Sequence, residues 1–213
     1  MNEVIPSPGT ENKNWEDIED RLNRIKPFAK SIHIDVLDGK FAPNTTFSDA
    51  SKFSGFTKET LFEVHLMVDN PVQYLKTWAD AGFRRFIGQI EKMPDPIEFV
   101  AQGQLLGEVG IAVDGPTGLE VLNNLNLNDL DCLLIMTINA GFSGQEFQPE
   151  MLDKVRTMKE KYPYLTIEVD GGINENTIVD SKKAGASRFV TTSTLYKADD
   201  ISEEFKKLTS LIK

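Results

Sequence analysis

Eight short apolar stretches, most of them rich in β-branched residues, alternate along this chain with amphipathic segments of helical length. They are Glu3–Pro6, Ser31–Leu37, Leu61–Met67, Arg85–Ile90, Gly110–Val113, Cys132–Ile138, Leu165–Val169 and Arg188–Thr192. Runs this short and apolar suit strands buried on both faces of a parallel sheet. Between the first two, Trp15–Lys26 carries Trp15, Ile18, Leu22 and Ile25 at spacings of three and four, one apolar stripe. Asn14 stands as its N-cap, and Glu16 and Asp17 follow where acids suit the helix dipole. Helices are also predicted over Val72–Ala81, Pro96–Leu106, Pro149–Lys161, Asn176–Ala184 and Ile201–Ile212, with Gly82, Gly107 and Gly185 as C-terminal glycines. Ser48–Lys58 reads as a short helix or a loop. Each strand is thus expected to precede a helix, and no Pro-, Gly- or Ser-rich linker divides the chain.

Repeated βα units predict a parallel sheet. Eight of them in 213 residues predict one α/β domain over residues 1–213, a compact (β/α)8 TIM barrel. A doubly wound open sheet is the alternative, but neither G-x-G-x-x-G nor G-x-x-x-x-G-K-[ST] occurs. The formal charge of −10 argues against nucleic acid, whose phosphates select basic surfaces. One phosphate on a small molecule stays compatible with it, because a few backbone N–H groups can hold an anion locally. No apolar run approaches a membrane span, and residues 1–20 are too polar for a signal peptide. Cys132 is the only cysteine, which leaves no disulfide framework and no cysteine-based zinc site. A soluble cytoplasmic protein is the expectation.

In such a barrel the chemistry sits at the C-terminal ends of the strands. Four polar residues interrupt apolar strands near those ends: His33, Asp35, His65 and Asp170. His33 and Asp35 are two apart, so both point to one face of their strand. Both histidines of the chain occupy such positions. A lone strand histidine is more often a satisfied core residue, yet burying all four groups without a task would be costly. Together they make a pocket for a divalent transition metal. Two glycine-bearing segments fit a phosphate, or are simply turns. Asp170-Gly171-Gly172-Ile173-Asn174 precedes the helix near Asn176, whose backbone N–H groups could meet an anion, and Asn139–Gln145 follows another strand.

Four segments resemble the ribulose-phosphate 3-epimerase family: residues 33–44 (His-Ile-Asp-Val-Leu-Asp-Gly-Lys-Phe-Ala-Pro-Asn), 64–67 (Val-His-Leu-Met), 136–147 (Met-Thr-Ile-Asn-Ala-Gly-Phe-Ser-Gly-Gln-Glu-Phe) and 168–174 (Glu-Val-Asp-Gly-Gly-Ile-Asn). The resemblance implies a (β/α)8 barrel binding one divalent metal, zinc, iron, manganese or cobalt, through His33, Asp35, His65 and Asp170. It implies that Asp35 and Asp170 are the paired acid and base, one taking the C3 proton of a ketose phosphate and the other returning one to the opposite face. A cation would stabilise the enediolate between the two steps. Met67 and Met136 correspond to methionines around the intermediate, or are plain core. By the same resemblance the phosphate is expected first at the backbone N–H groups of Gly172 and Ser193, then at Gly144, with Gly141, Ser143, Gly171 and Thr192 in the same shell. Family members are often homo-oligomers.

Several positions depart from the family pattern. Its N-terminal Ser-x-Leu-Ser-Ala-Asp-like motif is not evident in Ile5-Pro6-Ser7-Pro8-Gly9-Thr10, so no first-strand substrate contact is assigned. Leu37 replaces a methionine, Gln89 a common histidine, and Ser143 and Thr192 stand at glycine positions. The metal-and-acid centre is retained while the substrate-holding shell is altered. D-ribulose 5-phosphate is the leading substrate. Another ketose phosphate, such as a ketohexose 6-phosphate, and a catalytically idle sugar-phosphate-binding barrel are the alternatives. A related decarboxylase is disfavoured, because Asp35-Val36-Leu37-Asp38 lacks the lysine of Asp-x-Lys-x-x-Asp.

Overall fold

Every side chain of Ser31–Leu37 is buried, so both faces of this strand are covered. Ile32, Ile34 and Val36 join the apolar layer beneath the helices, while His33, Asp35 and Leu37 alternate to the other face. The same division runs through the strands β1 (Glu3–Pro6), β2 (Ser31–Leu37), β3 (Leu61–Met67), β4 (Arg85–Gln89), β5 (Glu108–Val113), β6 (Cys132–Met136), β7 (Ile167–Asp170) and β8 (Arg188–Thr191). The computed structural model describes residues 2–213. The strands form one parallel sheet in the order β1-β8-β7-β6-β5-β4-β3-β2. Its two edges, β1 and β2, meet through the bonds from Ser31 to Glu3 and from Ser7 to Asp35, which nearly closes the barrel.

Among the described residues seven α-helices surround it: α1 (Trp15–Ile25), α2 (Val72–Asp80), α3 (Pro96–Gln104), α4 (Leu152–Lys161), α5 (Glu175–Ala184), α6 (Ser193–Tyr196) and α7 (Ile201–Leu211). Asn14 caps α1 as expected, accepting from the Asp17 N–H. None of the described helices is long and apolar enough to cross a membrane. The segment read as a short helix or loop holds a 3₁₀ turn, Ala50–Gly55, which drives Phe53 against Trp15, Trp78 and Phe83. Each such aromatic contact adds about 0.5–1.5 kcal/mol beyond burial.

The expectation of a helix after every strand fails twice: between β2 and β3, where the helical segment is the 3₁₀ turn Ala50–Gly55, and between β5 and β6. The second connection contains only 3₁₀ turns, Leu119–Leu122 and Leu127–Asp129. The reason is local: Gly115-Pro116-Thr117-Gly118 breaks the start, and four asparagines follow, residues that bond their own backbone in non-helical forms. Asn126 does this here, accepting from the Asn128 N–H. The leucines at 122 and 127 still reach the core. Five strands also shift at their ends, β5 starting at Glu108 and β8 stopping at Thr191. Ile90 opens a 3₁₀ turn, Ile138 lies beyond β6, and β7 starts at Ile167 yet includes Asp170.

The barrel interior divides in two. Ile87, Ala112, Cys132, Leu134, Met136 and Ile138 form an apolar cluster separate from the outer core. Beside it lie ionisable groups: the register sets His33 next to Glu63, Asp35 next to His65, and Glu63 next to Arg85.

Candidate active site

Asp35 and Asp170 reach one pocket from strands on separate parts of the barrel wall, and His33 and His65 lie fully buried behind them. His33 Nε2 is 3.2 Å from Asp35 Oδ1 and 4.0 Å from Asp170 Oδ2; His65 Nδ1 is 3.3 Å and 4.0 Å from the same two oxygens. One ligand atom from each of the four falls within 4.8 Å of the others. Bonds of about 2.0–2.2 Å from a central cation span such separations. The donor set, two imidazoles and two carboxylates, suits a borderline divalent metal. His65 Nδ1 is also buried without a hydrogen-bond partner, which a ligating nitrogen explains. The residues therefore fit the group.

The two aspartates have opposite electrostatics. Burial pushes the Asp35 carboxyl upward, but the His33 charge and its hydrogen bond, with His65 beside them, bring it well below the usual range. Asp170 is raised to about 7, by burial first and by the Asp35 charge next. Carboxylates driven apart in this way are a common arrangement for an acid–base pair. Burial opposes the protonation of His33, yet Asp35, Glu168 and Glu63 together raise its pKa well above that of a free imidazole.

Of the thirteen sequence-predicted site residues, the eleven other than the two histidines all line this pocket. Met67 and Met136 form apolar wall beside the carboxylates. At the mouth, Gly141, Ser143 and Gly144 come from the β6–α4 loop, Gly171 and Gly172 from the β7–α5 turn, and Thr192 and Ser193 from the end of β8. Gly171 has φ +116, and a Cβ there would lie 2.3 Å from Ile138 Cγ1, so only glycine fits that approach. The anion expected at the helix near Asn176 meets a correction. Asn174 accepts from the N–H groups of Asn176 and Thr177, and Thr177 bonds back, so a capping box uses that helix end. The glycine pair and the β8 turn line the pocket at the loops after strands seven and eight, where barrel phosphate sites recur.

Five participants were not assigned from sequence. Ser7, fully buried at the end of β1, donates to Asp35 Oδ2 at 3.2 Å, so the first strand does reach the site, through the aspartate. Gln89 bonds His65, and Glu63 bonds His33 Nδ1 at 2.7 Å. Arg85 bonds Glu63 from below. Charged or amide residues inside otherwise apolar strands are the signal that could have found these three. Thr10 carries no such signal. It and Ser143 exchange bonds: Thr10 N–H to Ser143 Oγ at 3.0 Å, and Ser143 N–H to Thr10 Oγ1 at 2.9 Å. This ties the β6–α4 loop across the pocket mouth, with Asn44 holding the Gly141 carbonyl from the other side at 2.8 Å. Asp38 caps the turn after β2: it accepts from Lys40, Phe41 and Asp69 N–H groups. Ser143→Ala should loosen the loop. Alanine removes the bond from Thr10 N–H and keeps that from Ser143 N–H, so with a hydrogen bond worth about 0.5–1.5 kcal/mol, amide exchange over residues 139–147 should quicken roughly 2–10-fold. Unchanged protection by hydrogen-exchange mass spectrometry would refute the tie.

The chain matches the model of the ribulose-phosphate 3 epimerase family over residues 10–196. It is 34% identical over 200 residues to the ribulose-phosphate 3-epimerase of Candida glabrata, covering 84% of this chain and 80% of the relative. The cytoplasmic isoform of ribulose-phosphate 3-epimerase from Oryza sativa subsp. japonica is 35% identical, with 89% of this chain and 84% of the relative covered. Among solved structures, 3-hexulose-6-phosphate synthase from Salmonella typhimurium superposes with a TM-score of 0.74 at 12% identity, over 99% and 98% of the two chains, a likeness of fold. With most of its length matched, and with the eight-stranded barrel described above, the chain belongs to the ribulose-phosphate 3-epimerase family, isomerases acting on carbohydrates.

Proposed function

We propose that this chain, acting as one barrel domain over residues 1–213, inverts C3 of D-ribulose 5-phosphate to give D-xylulose 5-phosphate, and the reverse. The observation that carries the reading is the convergence of Asp35 and Asp170 on one pocket, with His33 and His65 behind them. Inverting a carbon through a planar intermediate needs a proton-transfer group on each face. One aspartate takes the C3 proton, and the C–H electron pair moves into the C2–C3 bond and onto the C2 oxygen. The other aspartate delivers its proton to the opposite face of C3, and the reverse reaction exchanges their roles. His33, Asp35, His65 and Asp170 would hold one divalent cation, which when bound supplies positive charge at the developing oxyanion. Zinc, iron, manganese and cobalt all suit this donor set.

The rest of the pocket holds and shields the substrate. Met67 and Met136 keep water from the reacting carbon. The backbone N–H groups of Gly171, Gly172 and Gly144, with the hydroxyls of Ser143, Thr192 and Ser193, receive the phosphate. Proton NMR of D-ribulose 5-phosphate in D2O tests the reading, with protein alone and with added Zn2+, Mn2+ or Fe2+. The expected result is metal-dependent deuterium at C3 together with xylulose 5-phosphate. Turnover of a ketohexose 6-phosphate alone would move the substrate assignment. Absence of turnover with every ketose phosphate, with metal demonstrably bound, would leave a sugar-phosphate-binding barrel and sink the proposal.

A further inference from the structure

His33 and His65 are anchored from behind by different chemistry and at different ring nitrogens. His33 Nδ1 faces the Glu63 carboxylate at 2.7 Å, which leaves Nε2 toward Asp35 and Asp170. For His65 the order is reversed: Nε2 lies 2.7 Å from Gln89 Oε1, and Nδ1 points to the two aspartates. Gln89 is fully buried at the end of β4, and its Oε1 is an acceptor only, so the proton of a neutral His65 belongs on Nε2. His65 Nδ1 is then a lone pair, buried and without a hydrogen-bond partner. The opposite amide orientation would place an N–H against Nε2, move the ring proton to Nδ1 and block the nitrogen that faces the carboxylates.

We propose that Gln89 is a positioning residue that fixes His65 as the Nε2–H tautomer, so that Nδ1 is its metal-ligating atom, while Glu63 fixes His33 in the opposite tautomer with Nε2 ligating. The inference rests on the reading that these residues hold a divalent cation. Partners of this kind fix ring orientation and raise ligand basicity, and losing one typically costs 10–100-fold in metal affinity.

Zn2+ affinity, measured by competition with a chromophoric chelator, tests the proposal on wild type, Gln89→Leu, Gln89→Glu and His65→Ala. Wild type is expected to take one equivalent. Gln89→Leu should bind about 10–100-fold more weakly. Gln89→Glu should restore affinity, because a carboxylate accepts from Nε2–H and has no N–H to donate; a merely space-filling role predicts no such rescue. Long-range proton–nitrogen spectra of the zinc form read the tautomers directly, since the chain has two histidines. Zinc-shifted Nδ1 for His65 and zinc-shifted Nε2 for His33 are expected. One equivalent of zinc in wild type with unchanged affinity in Gln89→Leu, or a zinc-shifted Nε2 on His65, overturns this inference alone. No zinc in wild type, or unchanged stoichiometry and affinity in His65→Ala, overturns it together with the metal reading.

Discussion

Asp170→Asn is expected to lower epimerisation about 10²–10⁴-fold at saturating metal, the usual worth of one positioned proton-transfer group. Its more diagnostic effect is on isotope exchange. With Asp35 still present, one face of C3 keeps its base. One of the two epimers should then still wash deuterium in at C3 without inverting, while the other exchanges far more slowly. Asp35→Asn should show the converse, with the other epimer. Both experiments use the same NMR assay, so the pair of variants reports which aspartate serves which face. Loss of exchange with both epimers in Asp170→Asn, with metal content matched to wild type, would remove Asp170 from the proton-transfer role and leave it as a holder of the cation. The geometry makes the two-base reading specific: Asp35 is anchored by Ser7 and His33, whereas the Asp170 side chain has no hydrogen bond among the described residues and is 14% exposed toward the pocket.

The sequence made the strands legible because they are buried on both faces, and a run such as Ile-His-Ile-Asp-Val has few other homes. It made the four polar residues legible because period-two alternation sets His33 and Asp35 on one face, and because strand ends face the site in a barrel. What it concealed is of two kinds. The connection between β5 and β6 has the length of a helix, but asparagine-rich backbone competition decides against one. The supporting residues were concealed because their meaning lies in register between strands. Glu63 matters because it stands beside His33 and Arg85, a relation between three strands that no single segment contains. Ser7 was concealed by its motif: its neighbours differ from the family pattern, yet the end of β1 still brings its hydroxyl to Asp35. Thr10 and Ser143 are 133 residues apart, and neither announces the other.

Arg85→Leu should destabilise the protein by about 3–5 kcal/mol, the cost of stripping one partner from a buried ion pair. In a chain of this size that is a fall in melting temperature of roughly 6–20 °C. Arg85 is almost fully buried, and it neutralises Glu63 while its Nε donates to Glu108 Oε2 at 2.6 Å. Burial pushes the Glu63 carboxyl upward, but the His33 hydrogen bond and the Arg85 charge bring it down to about 2, so at neutral pH it is an anion that needs its cation. Glu168, raised by burial and by the Glu63 charge, shares the same low-dielectric space. Removing both partners is a different experiment. In Glu63→Met with Arg85→Leu no unpaired charge remains from the pair, and apolar replacement of a buried ion pair is often neutral or stabilising, so much of the lost melting temperature should return. Metal affinity should not return with it, because His33 Nδ1 has then lost its anchor. Stability and metal binding would thus separate in the double variant, which is the outcome expected if Arg85 serves the fold and Glu63 serves the site. A melting temperature for Arg85→Leu within 2 °C of wild type would mean that Glu63 finds its compensation elsewhere, in the proton of His33.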